Sequence, residues 1–172
     1  KSMLMIRLAV ILNLFLLLIS CAGQQVAEHH HPCEPLTTEE FLEKPFYFDL
    51  SIDSLRDTHG EVFDLTRFLR KMKERQGRKD TIYRFRHQKN TLIFYRSPNG
   101  SSSFLTANVG DASLELRNCI RVEMPRVRLE ERIIDFPSDF RDTVKIHNNQ
   151  RQAVFLFEKS RLKQVFINNY FR

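Results

Sequence analysis

Glycine is scarce in this chain, with five in 172 residues, and none belongs to a phosphate-cradling glycine loop or a G-x-S-x-G nucleophile elbow. H-E-x-x-H is absent as well, which excludes the metalloprotease helix. These gaps remove the common catalytic signatures and put an enzyme behind a binding protein. Long apolar runs are missing too: Leu8 to Ser20, in which only Asn13 and Ser20 are polar, falls short of the roughly 20 residues that cross a bilayer. Cysteine is limited to Cys21, Cys33 and Cys119, too few for an all-thiolate zinc site, which uses four ligands.

What is present at the start is a positive segment, Lys1 and Arg7, ahead of that short apolar stretch, the layout of a secretory signal over residues 1–20. Leu18-Ile19-Ser20-Cys21 resembles a bacterial lipobox, in which the cysteine is acylated and becomes the mature N-terminus. Two or more acyl chains anchor a protein stably where one does not, so an acylated Cys21 implies a permanent membrane tether. An ordinary cleaved signal with an incidental cysteine is the alternative. Ala22 resembles the residue that follows the cysteine in lipoproteins sent to the outer membrane, so the expected location is the cell envelope, lipid-anchored and facing the periplasm. Loss of Lys1 and Arg7 lowers the formal charge from +6 to +4.

With Cys21 assigned to lipid, an oxidising compartment permits Cys33 and Cys119 to pair, although their spacing says nothing of geometry and free thiols stand as the alternative. The run HHHPC, His29 to Cys33, carries imidazole and thiol groups that suit zinc or copper. On an extended segment only His29 and His31 share a side, and His59, His87 and His147 each stand alone. No metal or cofactor is therefore expected, with weak binding by His29, His31 and Cys33 as the minority reading.

Residues 21–36 lack apolar periodicity and read as a tether. Thr37-Thr38-Glu39-Glu40 forms a capping box that opens a single domain over 37–172, with a short helix ended by Pro45. Phe46, Phe48, Leu50 and Ile52 alternate as a strand does. From Glu61 to Gln76, Val62, Leu65, Leu69 and Met72 recur at helical spacing. Strands follow at Thr81–His87, Thr91–Ser97 and Ser102–Val109, the last two joined by an Asn99-Gly100 turn. Leu114 to Leu116 reads as another short strand, and Val127 to Asp135 as a second helical stretch ended by Pro137. Asp80-Thr81-Ile82 is echoed by Asp142-Thr143-Val144, and Leu92-Ile93-Phe94-Tyr95 by Val154-Phe155-Leu156-Phe157, at a common shift of 62 residues. The predicted class is α+β: an antiparallel sheet built from two tandem helix-plus-three-strand units, about 61–110 and 125–170, with helices packed on one face.

Tandem units of this kind behind a lipobox resemble the β-lactamase-inhibitor-like lipoproteins, and the second unit is similar to the BamE-like outer-membrane assembly lipoproteins. The run Ile120-Arg121-Val122-Glu123-Met124 stands where that group usually carries a glycine before the methionine; here the residue is Glu123. The resemblance implies a non-catalytic module that contacts another protein, and it carries over no individual residue.

On the strand Thr81–His87, Arg84 and Arg86 face away from Tyr83 and Phe85, and Arg96 from the neighbouring strand is expected to join them, with Lys89 at the loop. Arginine beside aromatic residues is enriched in protein interfaces. The basic run Arg67 to Lys79 reads as a solvated helix face, and nucleic acid is not an expected partner. Asp135, Asp139 and Asp142 read as helix caps and turn formers. The expected function is a lipid-anchored envelope protein that binds another envelope protein, as an inhibitor, immunity factor or assembly accessory. The alternative is a carrier or sensor with a small ligand or metal between sheet and helices.

Overall fold

The computed structural model describes residues 33–71, 79–138 and 141–170, which belong to a compact unit, His31–Arg172. The expected signal segment, Cys21, His29, His31 and Asp139 lie outside the described residues. In chain order the elements are α1 (Thr38–Glu43), α2 (Ile52–His59), β1 (Asp64–Lys71), β2 (Lys79–His87), β3 (Asn90–Arg96), β4 (Ser102–Val109), α3 (Arg126–Arg132), β5 (Thr143–His147), β6 (Arg151–Glu158) and β7 (Arg161–Asn169). The strands form one antiparallel sheet in the order β1-β2-β3-β4-β7-β6-β5. Two meanders thus meet through their last strands, with Thr106 of β4 opposite Asn168 of β7.

Alternation sorts the side chains by face. Phe85, Leu92, Ala107, Ile167, Ala153 and Ile146 stand opposite one another across six strands, and all six are buried. Flanking them, Phe85, Phe94 and Phe104 form an edge-on chain with centroids 5.7 and 5.5 Å apart. Phe41 of α1 meets Phe155 at 5.7 Å, and Phe136 meets the same ring at 5.1 Å. Full burial of such a side chain stabilises by roughly 1.5–3 kcal/mol, so the helices are held by this face more than by their own short hydrogen-bond ladders.

Helix α1 begins with the capping box that its sequence predicts: the Glu40 amide donates to the Thr37 hydroxyl at 3.3 Å, and the Thr37 amide to the Glu40 carboxylate at 2.7 Å. The bonds that the carboxylate accepts from the Thr37 amide and from the Thr37 hydroxyl hold the Glu40 carboxyl below its ordinary pKa. Asp135 adds a long-range cap, accepting from the Thr38 amide at 2.6 Å and its hydroxyl at 2.8 Å. At the other end, Arg151 donates to the Leu42 and Glu43 carbonyls at 2.8 and 2.6 Å, supplying partners that a helix end lacks.

Five expectations are corrected. The helix predicted over Glu61 to Gln76 is replaced, over its described part, by strand β1, which pairs with β2 over eight positions from Asp64↔Arg86 to Lys71↔Lys79. A helix with that stripe needs an apolar surface to cover, whereas the sheet offers an unpaired edge to the extended chain. The two three-strand sets therefore differ in what precedes them: β1 ahead of β2–β4, and α3 ahead of β5–β7. Phe46 to Ile52 is no strand; Phe46 and Phe48 stack at 5.0 Å in an irregular segment, and Ile52 opens α2 behind a Ser51 cap. Leu116 makes only an isolated bridge to Ile120, because Asn118 and Cys119 both adopt left-handed backbone and reverse the chain. Leu36, expected at the end of a tether, is instead part of the fold: it is buried, and its amide donates to the Arg132 carbonyl at 3.0 Å.

Cys33 and Cys119 are joined by a disulfide that spans 86 residues of sequence. Closing a loop of that length restricts the unfolded chain and is worth about 4 kcal/mol. Reduction, or Cys119→Ser, is expected to lower the urea-unfolding free energy by about that amount, measured by circular dichroism with and without reductant. An unchanged midpoint would show that the bridge contributes nothing.

Candidate functional site

On the face of the sheet opposite the core the described paired residues are exposed or half-buried except Asp80, which is buried. One row, Thr66, Arg84, Ile93, Thr106, Asn168, Gln152 and His147, runs across all seven strands. A second, Asp64, Arg86, Thr91, Asn108, Phe166, Val154 and Lys145, lies beside it. The surface is therefore broad and mixed, with apolar groups such as Ile93, Phe166 and Val154 set among polar ones. Its centre is ordered by polar side-chain bonds: Thr106 donates to Asn168 at 2.7 Å and Gln164 to Asn108 at 2.6 Å.

The cationic end of this face lies on β1–β3. Arg84 stacks its guanidinium 5.1 Å over the Phe68 ring, a contact that keeps the charge oriented while its stem covers apolar surface. Tyr95 donates from its hydroxyl to Asp80 at 3.0 Å. Arg86 is exposed two residues along the same strand. Arg96 does not join this pair. It stands opposite Thr81 and Ser102, one residue beyond Tyr95, so strand alternation places it on the other face. Phe68 went unrecognised as a site residue because it was assigned to a helix. Alternation within β7 sets Phe166 on the other face from Val165 and Ile167.

Other arrangements are structural. Asn90 is fully buried; its amide donates to Asp111 at 2.8 Å and Ser113 at 2.9 Å, and its oxygen accepts from the Gly110 amide at 2.9 Å. Burial opposes ionisation of Asp111, but bonds from the Ser113 hydroxyl and amide, the Lys89 amide and Asn90 outweigh it and bring its pKa down to about 2. A carboxylate so saturated with donors ties a loop to β3; it does not move protons. Asp135 behaves alike, its desolvation outweighed by the two Thr38 bonds, which lower its pKa.

Among the described residues no group of three potential metal ligands comes together, and the Cys33 sulfur is bonded to Cys119, so it is no thiolate ligand. A cleft of about 310 Å³ lies beside the disulfide, lined by Glu34, Leu36, Glu40, Tyr47, Arg117 and Asn118 among others. Arg117 donates to the Glu40 carbonyl at 3.2 Å and Tyr47 accepts from the Asn118 amide at 2.7 Å, while the buried Asn118 Oδ1 in the same wall has no hydrogen-bond partner. Such a wall differs from the apolar cavity with few polar groups that a small-molecule carrier uses. Among the described residues no helix is long and apolar enough to cross a membrane.

No protein-family model, curated protein or solved structure matches the chain. Function is therefore argued from the geometry above.

Because the folded pKa of Asp111 is about 2 and an unfolded aspartate titrates near about 3.9, its contribution to stability is complete above about pH 4 and lost as pH falls through about 2. Asp111→Asn is expected to lower the urea midpoint at pH 6, with the gap to the unmodified protein closing by pH 2. An equal gap at both values would refute the assignment.

Proposed function

We propose that the chain is a lipid-anchored cell-envelope protein that binds another envelope protein through the open face of its sheet, without catalysis. The observation that carries this reading is the continuous face that spans all seven strands, with Arg84 set over Phe68 and Arg86 beside it. Arginine and aromatic side chains are the residues that most often dominate binding energy. A cationic, partly apolar platform suits an acidic protein surface with apolar groups of its own. Acylation of Cys21, proposed from the Leu18-to-Cys21 run, would hold that platform at the membrane, where collision with an envelope partner needs little affinity.

One backbone feature agrees with the family resemblance. Glu123, at the position where the BamE-like run carries glycine, has φ 71°, a left-handed conformation that glycine adopts freely. Its amide donates to the Leu162 carbonyl at 2.7 Å and the Met124 carbonyl accepts from Leu162 at 2.9 Å, so the turn fastens the entry of α3 to β7. The tandem arrangement of two three-strand sets is part of the same reading.

The test is affinity capture with the full chain from its own membranes. Arg84→Glu with Arg86→Glu is expected to weaken the captured interaction by about thirtyfold, the equivalent of ~2 kcal/mol at a binding hot spot, with the fold retained by circular dichroism. Equal capture by the doubly substituted chain would sink the proposed face. Metabolic labelling with a fatty-acid analogue is expected to mark the protein and to vanish in Cys21→Ala; label that persists would overturn the anchor.

A further inference from the structure

Of the seven large apolar side chains exposed among the described residues, four fall within eight positions at one edge of the sheet: Val62 at 50%, Leu65 at 40%, Phe68 at 46% and Leu69 at 67%. Three of them belong to β1, which pairs with β2 on one side and has no partner strand on the other among the described residues. The opposite edge is built differently. β5 has five residues, and those of its side chains that reach solvent are Thr143, Lys145 and His147, the short and polar design by which proteins blunt an edge. β1 has eight residues and exposes Leu65, Phe68 and Leu69 beside the charged Asp64 and Arg67.

We infer that β1 is the docking edge for a second copy of this chain, whose β1 adds antiparallel to it and continues the sheet across a twofold axis at Arg67. The strand is self-complementary in that register. Reading DLTRFLRK, Asp64 to Lys71, against itself about Arg67 places Asp64 opposite position 70 of the second copy, an arginine. Leu65 then stands opposite Leu69, and Thr66 opposite Phe68. Each of these pairs occurs twice by symmetry, and each joins residues of one face, because positions that sum to an even number share parity. Opposite charges and apolar pairs directly across an antiparallel ladder stabilise it, whereas like charges oppose it. Parallel addition would instead run Arg67, Arg70 and Lys71 alongside the same residues of the other copy. The antiparallel register leaves one like-charge contact, Arg67 against Arg67 on the axis, and this is what makes the assignment distinctive. The dimer also carries the two open faces on one side of a continuous sheet, so a partner would meet a platform twice as wide.

The experiment is sedimentation equilibrium of the full chain in a mild non-ionic detergent over a range of concentrations, with amide hydrogen exchange of β1 in parallel. Reversible dimers are expected, with β1 amides more protected at high concentration. Leu69→Lys removes two symmetric apolar pairs and is expected to weaken dimerisation by about fivefold or more. Arg67→Thr, which removes the like-charge contact on the axis, is expected to tighten it by about two- to fivefold. A generic sticky patch would respond to the first substitution and not to the second. Lys145→Ala on β5 is expected to leave dimerisation unchanged. A monomer at all concentrations, a dimer indifferent to Leu69→Lys, or one that Arg67→Thr weakens would each overturn the inference. So would β1 amides that are protected equally at every concentration, which would mean that the chain's own N-terminal segment covers the edge.

Discussion

The junction of β4 with β7 is the contact on which the rest of the fold depends. Over Thr106 to Val109 and Val165 to Asn168, two meanders distant in sequence become one sheet, and the buried row from Phe85 to Ile146 becomes continuous. Each meander alone would expose one apolar face. Joined, they present a surface wide enough for α1, α2 and the segments around Leu116, Ile120 and Leu129 to cover. Long-range pairing of this kind contributes little until both halves are formed, because the loop between them must be closed first. The disulfide from Cys33 to Cys119 acts in the same direction, binding the first described residue to the centre of the chain.

Covering one face leaves the other open, and the open face is where this molecule has chemistry to offer. Its polar groups are tied laterally, Thr106 to Asn168 and Gln164 to Asn108, so the platform is stiff rather than adaptable. The charged end is ordered as well, since Arg84 rests on Phe68. The titratable groups with the most evident shifts do something else. Asp111 and Asp135 are held ionised by donors from neighbouring loops, so they bind backbone together instead of exchanging protons. Both carboxylates are structural ties of the fold.

Much of the sheet was legible from the residues. The alternation in Thr81–His87, Thr91–Ser97 and Ser102–Val109 specifies strands and faces, and the capping box at Thr37 specifies where α1 begins. Arg84 and Arg86 were readable as neighbours on one face because they lie on one strand. Arg96 was misplaced because its face depends on the register with Thr81, which no local pattern records. β1 was read as a helix because Val62, Leu65 and Leu69 do recur at helical spacing. The edge of β2 offered eight backbone pairings, and this outweighed a stripe with no surface to cover, which is why those side chains end exposed.

The amino-acid sequence by itself determined the strands of alternating pattern and the capping box of the first helix, since each follows from residues a few positions apart. Tertiary structure alone decided that Asp64 to Lys71 extends into an edge strand, that Cys33 meets Cys119, that Asp135 caps a helix nearly one hundred residues upstream, and that Phe68 lies under Arg84. The physical reason is common to all four. Each is a choice between local patterns that are close in free energy, and only the partner brought by the folded chain separates them.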